Sequence, residues 1–394
     1  MALSKIDIEN MVTGETPVAN GGTGQTTLAA AGLQRPLSKP LIYNGNMEMS
    51  RRGTSTTGLT NGDGGYHTVD RWRWHENGSS SSVWTMTQET LTSGNAYADG
   101  FHKALKLDCT TAHSSIGTGD TLAIEHRLEK DDLSAFKKGT ANALGFTFGF
   151  WVKATKTGTN VVEIQDQTND RTISGTYTIS SSDTWEHKIV SFGPDTTGNF
   201  GTGTTLGLII RFYLYAGTDY TSGGLQSSWG AATTTKRATG QVNNADSTSN
   251  NWHLTGVQLE VGEFTSSTIP DFQHETREEN LARCQRYYYK MEVGDDQYFG
   301  SGNIDGSNDA QILIQFPCVM RTSPSAIETN GTGSHYAIRT TSDVTCDAVP
   351  VYSNTELDKA MVVFKKSSHG ITNQLAAFGR SNNNTAFLAW DAEL

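Results

Sequence analysis

From residue 41 to 275 hydrophobic and polar side chains alternate with a period of two. In the first such run Tyr66, Thr68, Asp70, Trp72 and Trp74 fall on one face, and His67, Val69, Arg71 and Arg73 on the other. Residues 83–88 and 101–107 repeat the pattern, and 121–129, 144–154, 161–166, 172–179, 185–192, 206–215 and 251–261 continue it, giving about ten strands. Turns rich in Gly, Ser, Asn and Asp separate them, and no gap carries a helical stretch long enough for a parallel crossover. Antiparallel sheets follow, each strand with one wet face. Two such sheets face to face form a jelly-roll-like β-sandwich. The runs 193–205 and 217–249 read as surface loops; the second is long enough to predict a short hairpin or a site within it.

The period then changes. Thr276 and Glu279 have the spacing of a capping box, and Leu281, Cys284 and Tyr288 follow at steps of three and four. This predicts a short amphipathic helix over residues 276–292. Its apolar stripe packs either on a sheet of the same chain or on the same helix in sister chains, which makes Leu281, Cys284 and Tyr288 the candidate oligomer contacts. Strands resume at 310–316, 335–339, 360–365 and 386–390, so residues 293–394 form a smaller β-rich domain. The fold class is all-β.

Residues 1–40 stand apart. The stretch 17–32 has too few large apolar side chains to offset the entropy of ordering it alone, so it is expected to order only against other chains. Its run Gly21-Gly-Thr-Gly-Gln-Thr-Thr27 lacks the Lys and the preceding strand of a phosphate loop.

Composition sharpens this reading. Of 394 residues, 53 are Thr and 41 Gly, while charged residues make up 18%. That balance favours strands and loops over helices. With 41 acidic against 30 basic side chains the net charge is −11, which disfavours nucleic acid as a partner. No apolar run is long enough to span a membrane, and the first ten residues lack the apolar segment of a signal peptide. Cys109, Cys284, Cys318 and Cys346 have no zinc spacing and read as buried thiols, with a Cys318–Cys346 disulfide as the alternative. Asp305–Asp309 and Asp131-Asp132 are acidic but read as polar turns, so no metal or cofactor is expected. The ten histidines are scattered and no hydrolase or metalloprotease motif occurs, so no catalytic residue is assigned. A pair of carboxylates across a groove would leave glycan hydrolysis open. Aromatic residues carry the remaining signal. Trp72, Trp74, Trp84, Trp151, Trp185 and Trp252 lie in strands and read as core, whereas Trp229 stands in a loop close to Tyr215 and Tyr220. These three are the candidate ligand-binding residues, with packing over a sandwich edge as the alternative.

Three groups of residues resemble a known family. Val18-Ala-Asn-Gly-Gly-Thr-Gly24 is similar to a segment in the N-terminal regions of tailed-phage tail fibres. Leu41-Ile-Tyr-Asn-Gly-Asn46, Arg51-Arg-Gly53 and Asp70-Arg-Trp72 resemble the opening of a β-sandwich module of such fibres. Gly256-Val-Gln-Leu-Glu-Val-Gly262, Phe272-Gln-His274 and Glu278–Tyr288 resemble its close, and the final Asp391-Ala-Glu-Leu394 resembles the ending of such chains. Tyr43, Met49 and Arg283 depart from the usual pattern. The resemblance implies a virion protein made in the host cytoplasm: a homotrimeric tail fibre with a carbohydrate-binding-like sandwich. Its N-terminus (Val18, Asn20, Gly21, Gly22, Thr23, Gly24) would hold other phage tail proteins, and its β domains would meet a host-surface glycan or outer-membrane receptor. The rival roles are a structural adaptor or head-decoration fibre, and a polysaccharide depolymerase.

Overall fold

The computed structural model describes residues 39–306, 309–368 and 370–394. The anchoring candidates Val18, Asn20, Gly21, Gly22, Thr23 and Gly24 lie outside them. The first unit contains β1 (Ser55–Leu59), β2 (Gly65–Tyr66), β3 (Arg73–Asn77), β4 (Val83–Thr90), α1 (Asn95–Ala98), β5 (Lys103–Thr111), β6 (Thr121–Glu129), β7 (Phe146–Ala154), β8 (Gly158–Asp166), β9 (Arg171–Ile179), β10 (Glu186–Phe192), β11 (Leu206–Ala216), α2 (Thr218–Thr221), β12 (Gly230–Ala231) and β13 (Asn251–Val261). Two sheets result, in the orders β1-β4-β5-β13-β7-β10 and β12-β9-β8-β11-β6-β3-β2, and every pairing is antiparallel. The protein is an all-β sandwich of this kind followed by a second β unit. Between the sheets lie Trp72, Trp74, Trp84, Trp252, Phe148, Phe150 and Phe212, all fully buried. Each such side chain contributes about 1.5–3 kcal/mol relative to exposure.

The wet face expected of each strand is absent from the central ones. β6, β11 and β13 are buried along nearly their whole length. On the second sheet the reason is a buried ionic network. Arg211 on β11 reaches Glu125 on β6 (2.7 Å) and Glu163 on β8 (3.2 Å), and Arg237 closes over Glu163 at 2.6 Å. Arg237 comes from the excursion 217–250, which folds back as a lid over this face. That excursion holds α2 and β12, the latter added to the sheet edge beside β9.

The second unit follows α3 (Arg277–Gln285). Thr276 accepts from the Glu279 backbone N–H, and the Glu279 carboxylate accepts from that of Thr276 (3.1 Å). The helix ends at Gln285, short of the expected 292, because β14 (Tyr288–Glu292) begins there and pairs with the last strand. β15 (Tyr298–Asp305), β16 (Asp309–Gln315), β17 (Glu328–Thr329), β18 (Tyr336–Arg339), β19 (Asp343–Thr345), β20 (Val351–Thr355), β21 (Lys359–Lys365), β22 (Ala376–Ser381) and β23 (Phe387–Asp391) complete it. They form the sheets β14-β23-β17 and β19-β18-β22-β15-β16-β21-β20 around Ile304, Ile312, Tyr336, Phe364 and Trp390.

The sequence islands at 41–53, 70–72, 278–288 and 391–394 converge where the two units meet. The Arg71 guanidinium, buried and at a left-handed φ of 73°, lies 3.5 Å from the centre of the Tyr287 ring and pairs with Glu393. Arg52 lies 3.6 Å from the Tyr288 ring centre and pairs with Asp391 (2.8 Å) and Glu393 (3.3 Å). Arg286 meets Glu129 at 2.8 Å, and Arg321 donates to the carbonyls of Ala392 and Glu393. Tyr43 and Arg283, two departures from the family pattern, stack on each other here at 3.8 Å.

Candidate functional site

Along β7 the side chains of Phe146, Phe148, Phe150 and Val152 point into the core, which leaves Thr147, Gly149, Trp151 and Lys153 on the opposite face. The indole of Trp151 therefore faces outward from the six-stranded sheet. Register places His187 of β10 directly beside it, and the two rings stack at 5.1 Å with planes 27° apart. Asp99, just past α1, accepts the Trp151 Nε1–H at 2.9 Å and so fixes the ring's orientation. Leu91, Phe101, Ala104 and Trp185 pack beneath it as a separate cluster.

β13 supplies the next wall through a bulge. Thr255 pairs with Trp151 and Gln258 with Gly149, so two residues of β13 oppose one of β7 and one extra residue is accommodated. Gly256 takes φ 60° there, and a Cβ at this position would lie 2.7 Å from the Phe101 ring. The Gln258 side chain is 6% exposed; its Nε2 donates to the Pro270 carbonyl (3.0 Å), and its Oε1 has no donor. Because a carbonyl only accepts, that bond fixes which end of the amide is oxygen.

Together these residues line a cleft of about 510 Å³, closed on its far side by Asp271, Phe272 and His274. Burial pushes the His187 imidazolium towards its neutral form, with Asp99 opposing, and burial does the same to His274. Chemically the cleft offers one aromatic face, neutral imidazoles and several hydrogen-bond acceptors. No group of three or more potential metal ligands occurs among the described residues.

The aromatic candidates from the sequence do not come together. Tyr215 is fully buried, and its hydroxyl bonds Glu76 (2.5 Å) and Ser82 (3.1 Å) inside the sandwich. This corrects its place among ligand-binding residues: the alternation of β11 turns it inward. Tyr220 packs in a small cluster with Val161, Tyr213 and Ala238. Trp229 closes a sandwich edge, its Nε1–H on the Gly193 carbonyl (3.0 Å) and its ring against Phe146. The helical stripe is likewise used within the chain. Cys284 and Tyr288 are buried, Tyr288 on β14 with its hydroxyl on Glu328, and Leu281 is half-buried. The first two are corrected as oligomer contacts, since a surface already covered is not offered to a sister chain. All four cysteines are free.

Trp151, in contrast, reads by residue type alone as one of the core tryptophans. Its neighbours carry the signal that places it outside: in Phe146-Thr-Phe-Gly-Phe-Trp-Val-Lys153 it shares its parity with Thr147, Gly149 and Lys153.

No protein-family profile and no curated protein matches the sequence. Among solved structures, similarity is found to the enzymatically active domain of bacteriophage CBA120 tailspike protein 4 (13% identity, TM-score 0.28), over 52% of this chain and only 21% of that one. A putative sugar binding protein from Bacteroides thetaiotaomicron is similar over 57% of this chain and 100% of its own (14% identity, TM-score 0.32). A family 30 carbohydrate binding module is similar over 60% and 95% respectively (15% identity, TM-score 0.29). Likenesses at these TM-scores transfer no site residue or activity, so function has to come from the chain's own geometry.

Proposed function

We propose that the protein is a virion component of a tailed phage, a homotrimeric tail fibre whose sandwich holds a host-surface glycan at the Trp151 cleft without cleaving it. The observation that carries the glycan reading is the outward indole of Trp151, steered by Asp99 and set among hydrogen-bonding walls. A sugar ring presents an apolar C–H face and a rim of hydroxyls, so it needs a flat aromatic surface and polar groups beside it. The fibre reading is supported by the sequence islands at 18–24, 41–53, 70–72 and 256–288. In it, residues 1–40 hold other tail proteins and the β units reach the host. A single cleft binds weakly, and linking three copies on one particle raises avidity by about 10²–10⁴ where receptor spacing allows.

The test is glycan-array binding by the full chain and by Trp151→Ala. Truncating an aromatic anchor costs about 2 kcal/mol or more, roughly thirtyfold in affinity. Retention that survives Trp151→Ala unchanged defeats the cleft as the site. Asp99 and Asp271 line the same cleft, which gives the hydrolytic alternative a concrete form. Reducing ends released from a host polysaccharide, and lost in Asp271→Asn, would establish it. Light scattering that finds a persistent monomer would remove the trimer.

A further inference from the structure

The charge around the cleft is one-sided. Among its lining residues the titratable side chains are Asp99, Asp271, His187 and His274, with no lysine or arginine. Both imidazoles are pushed towards neutrality by burial, so the wall is anionic at pH 7. The hydrogen-bonding bias runs the same way. The oxygens of Asp99 and Asp271 accept, and so does Gln258 Oε1, which is left without a donor while its amide nitrogen is committed to Pro270. An acceptor left unmatched at a buried wall is destabilising until something donates to it. A second cavity of about 230 Å³ adjoins the first across Phe101 and His274. It brings Glu48, Glu275 and Arg277, but Glu275 is already paired with Arg283.

From this, and resting on the cleft being a glycan site, we propose that it selects a neutral or amine-bearing glycan chain and rejects chains carrying carboxylates or phosphates. Hydroxyl and ammonium groups donate to these acceptors, whereas an acidic sugar stacked on Trp151 sets its charge beside Asp99. The adjoining cavity gives an extended chain room to continue past His274. A lone sugar would need only the first compartment.

The full chain is tested against three immobilised probes of matched length: N-acetylglucosamine oligomers, their deacetylated glucosamine forms, and oligogalacturonate. Both uncharged and amine-bearing oligomers are expected to be retained, with oligogalacturonate at least tenfold weaker. Asp99→Asn keeps an oxygen to accept the Trp151 N–H, so the platform stays in place. Combined with Asp271→Asn it should raise oligogalacturonate binding at least about threefold and weaken the glucosamine oligomers. Oligogalacturonate bound as tightly as the neutral probe, lost in Trp151→Ala and indifferent to the two Asp→Asn changes, would overturn the charge selection while leaving the site intact. Retention independent of Trp151, or no retention of any probe, removes the site and this inference with it.

Discussion

Removing the Glu393 carboxylate isolates the electrostatics that join the two units. In Glu393→Ala the Arg71 guanidinium, 1% exposed, loses its paired carboxylate, while Arg52, 9% exposed, keeps Asp391 at 2.8 Å. Breaking a buried pair from one side costs about 3–5 kcal/mol, because a cation is left without its counter-charge. Arg71 retains the Tyr287 ring at 3.5 Å and the Arg127 carbonyl at 2.6 Å, and a desolvated cation–π contact returns about 2 kcal/mol. Those contacts exist in the wild type as well, so they limit relaxation and do not offset the loss; a net cost of about 3 kcal/mol follows. At about 2–4 °C per kcal/mol for units of this size, calorimetry of the full chain should show a fall of about 6–12 °C in the affected transition. Arg71→Met should cost less in the Glu393→Ala background than in the wild type, with a coupling of at least about 1 kcal/mol. A melting point within one degree of wild type for Glu393→Ala would refute the argument, since it would mean that the pair contributes nothing against its own desolvation.

Three further outcomes follow from individual side chains. Burial pushes the Asp70 carboxyl up to about 6, against the pull of Arg52 and the Arg51 N–H. The folded state thus binds this proton more tightly than the unfolded one, and about 3 kcal/mol present below pH 4 is lost as pH rises through 6; urea titrations should show that loss in the wild type and a flatter profile in Asp70→Asn. Tyr215→Phe strips the buried Glu76 carboxylate of one donor and should cost about 1–3 kcal/mol in urea unfolding while leaving glycan retention unchanged. Gly256→Ala forces a left-handed residue at about 1–2 kcal/mol and drives a methyl towards Phe101 beneath the platform, so it should lower both the urea midpoint and glycan retention.

The sandwich strands were readable because alternation survives wherever one face is apolar: 121–129 and 251–261 coincide with β6 and β13. What alternation could not tell was whether the polar face meets water. Glu125, Arg211 and Glu163 look like surface residues until Arg237, in a distant loop, is folded over them. In the second unit β15 and β22 escaped notice because Tyr298–Asp305 and Ala376–Ser381 are rich in small residues. Their strand character comes from neighbours. A Cβ at Gly302 would lie 1.7 Å from the Gln311 carbonyl oxygen, so close pairing with β16 requires the glycine that local propensity counts against a strand. The site is hidden differently: a strand tryptophan usually lies in the core, and only the parity of β7 turns Trp151 outward.

The junction and the cleft place different demands on the sequence, and physics gives a reason. At the junction, arginines are held out of water, and each demands a particular counter-charge or ring at a set distance: Glu393 and Tyr287 for Arg71, Asp391 and Tyr288 for Arg52. Few residue types satisfy those demands, so the requirement is written into short, specific runs. The cleft asks less of its sequence. It needs one outward ring and a supply of acceptors, and its walls come from Trp151 of β7, His187 of β10, Gly256 and Gln258 of β13, Asp99 and the segment 266–274, none of which takes part in those arginine pairs. A scaffold locked by buried charge can therefore carry walls of different chemistry without paying for them in its own stability, which is the condition under which one fold could present different glycan preferences.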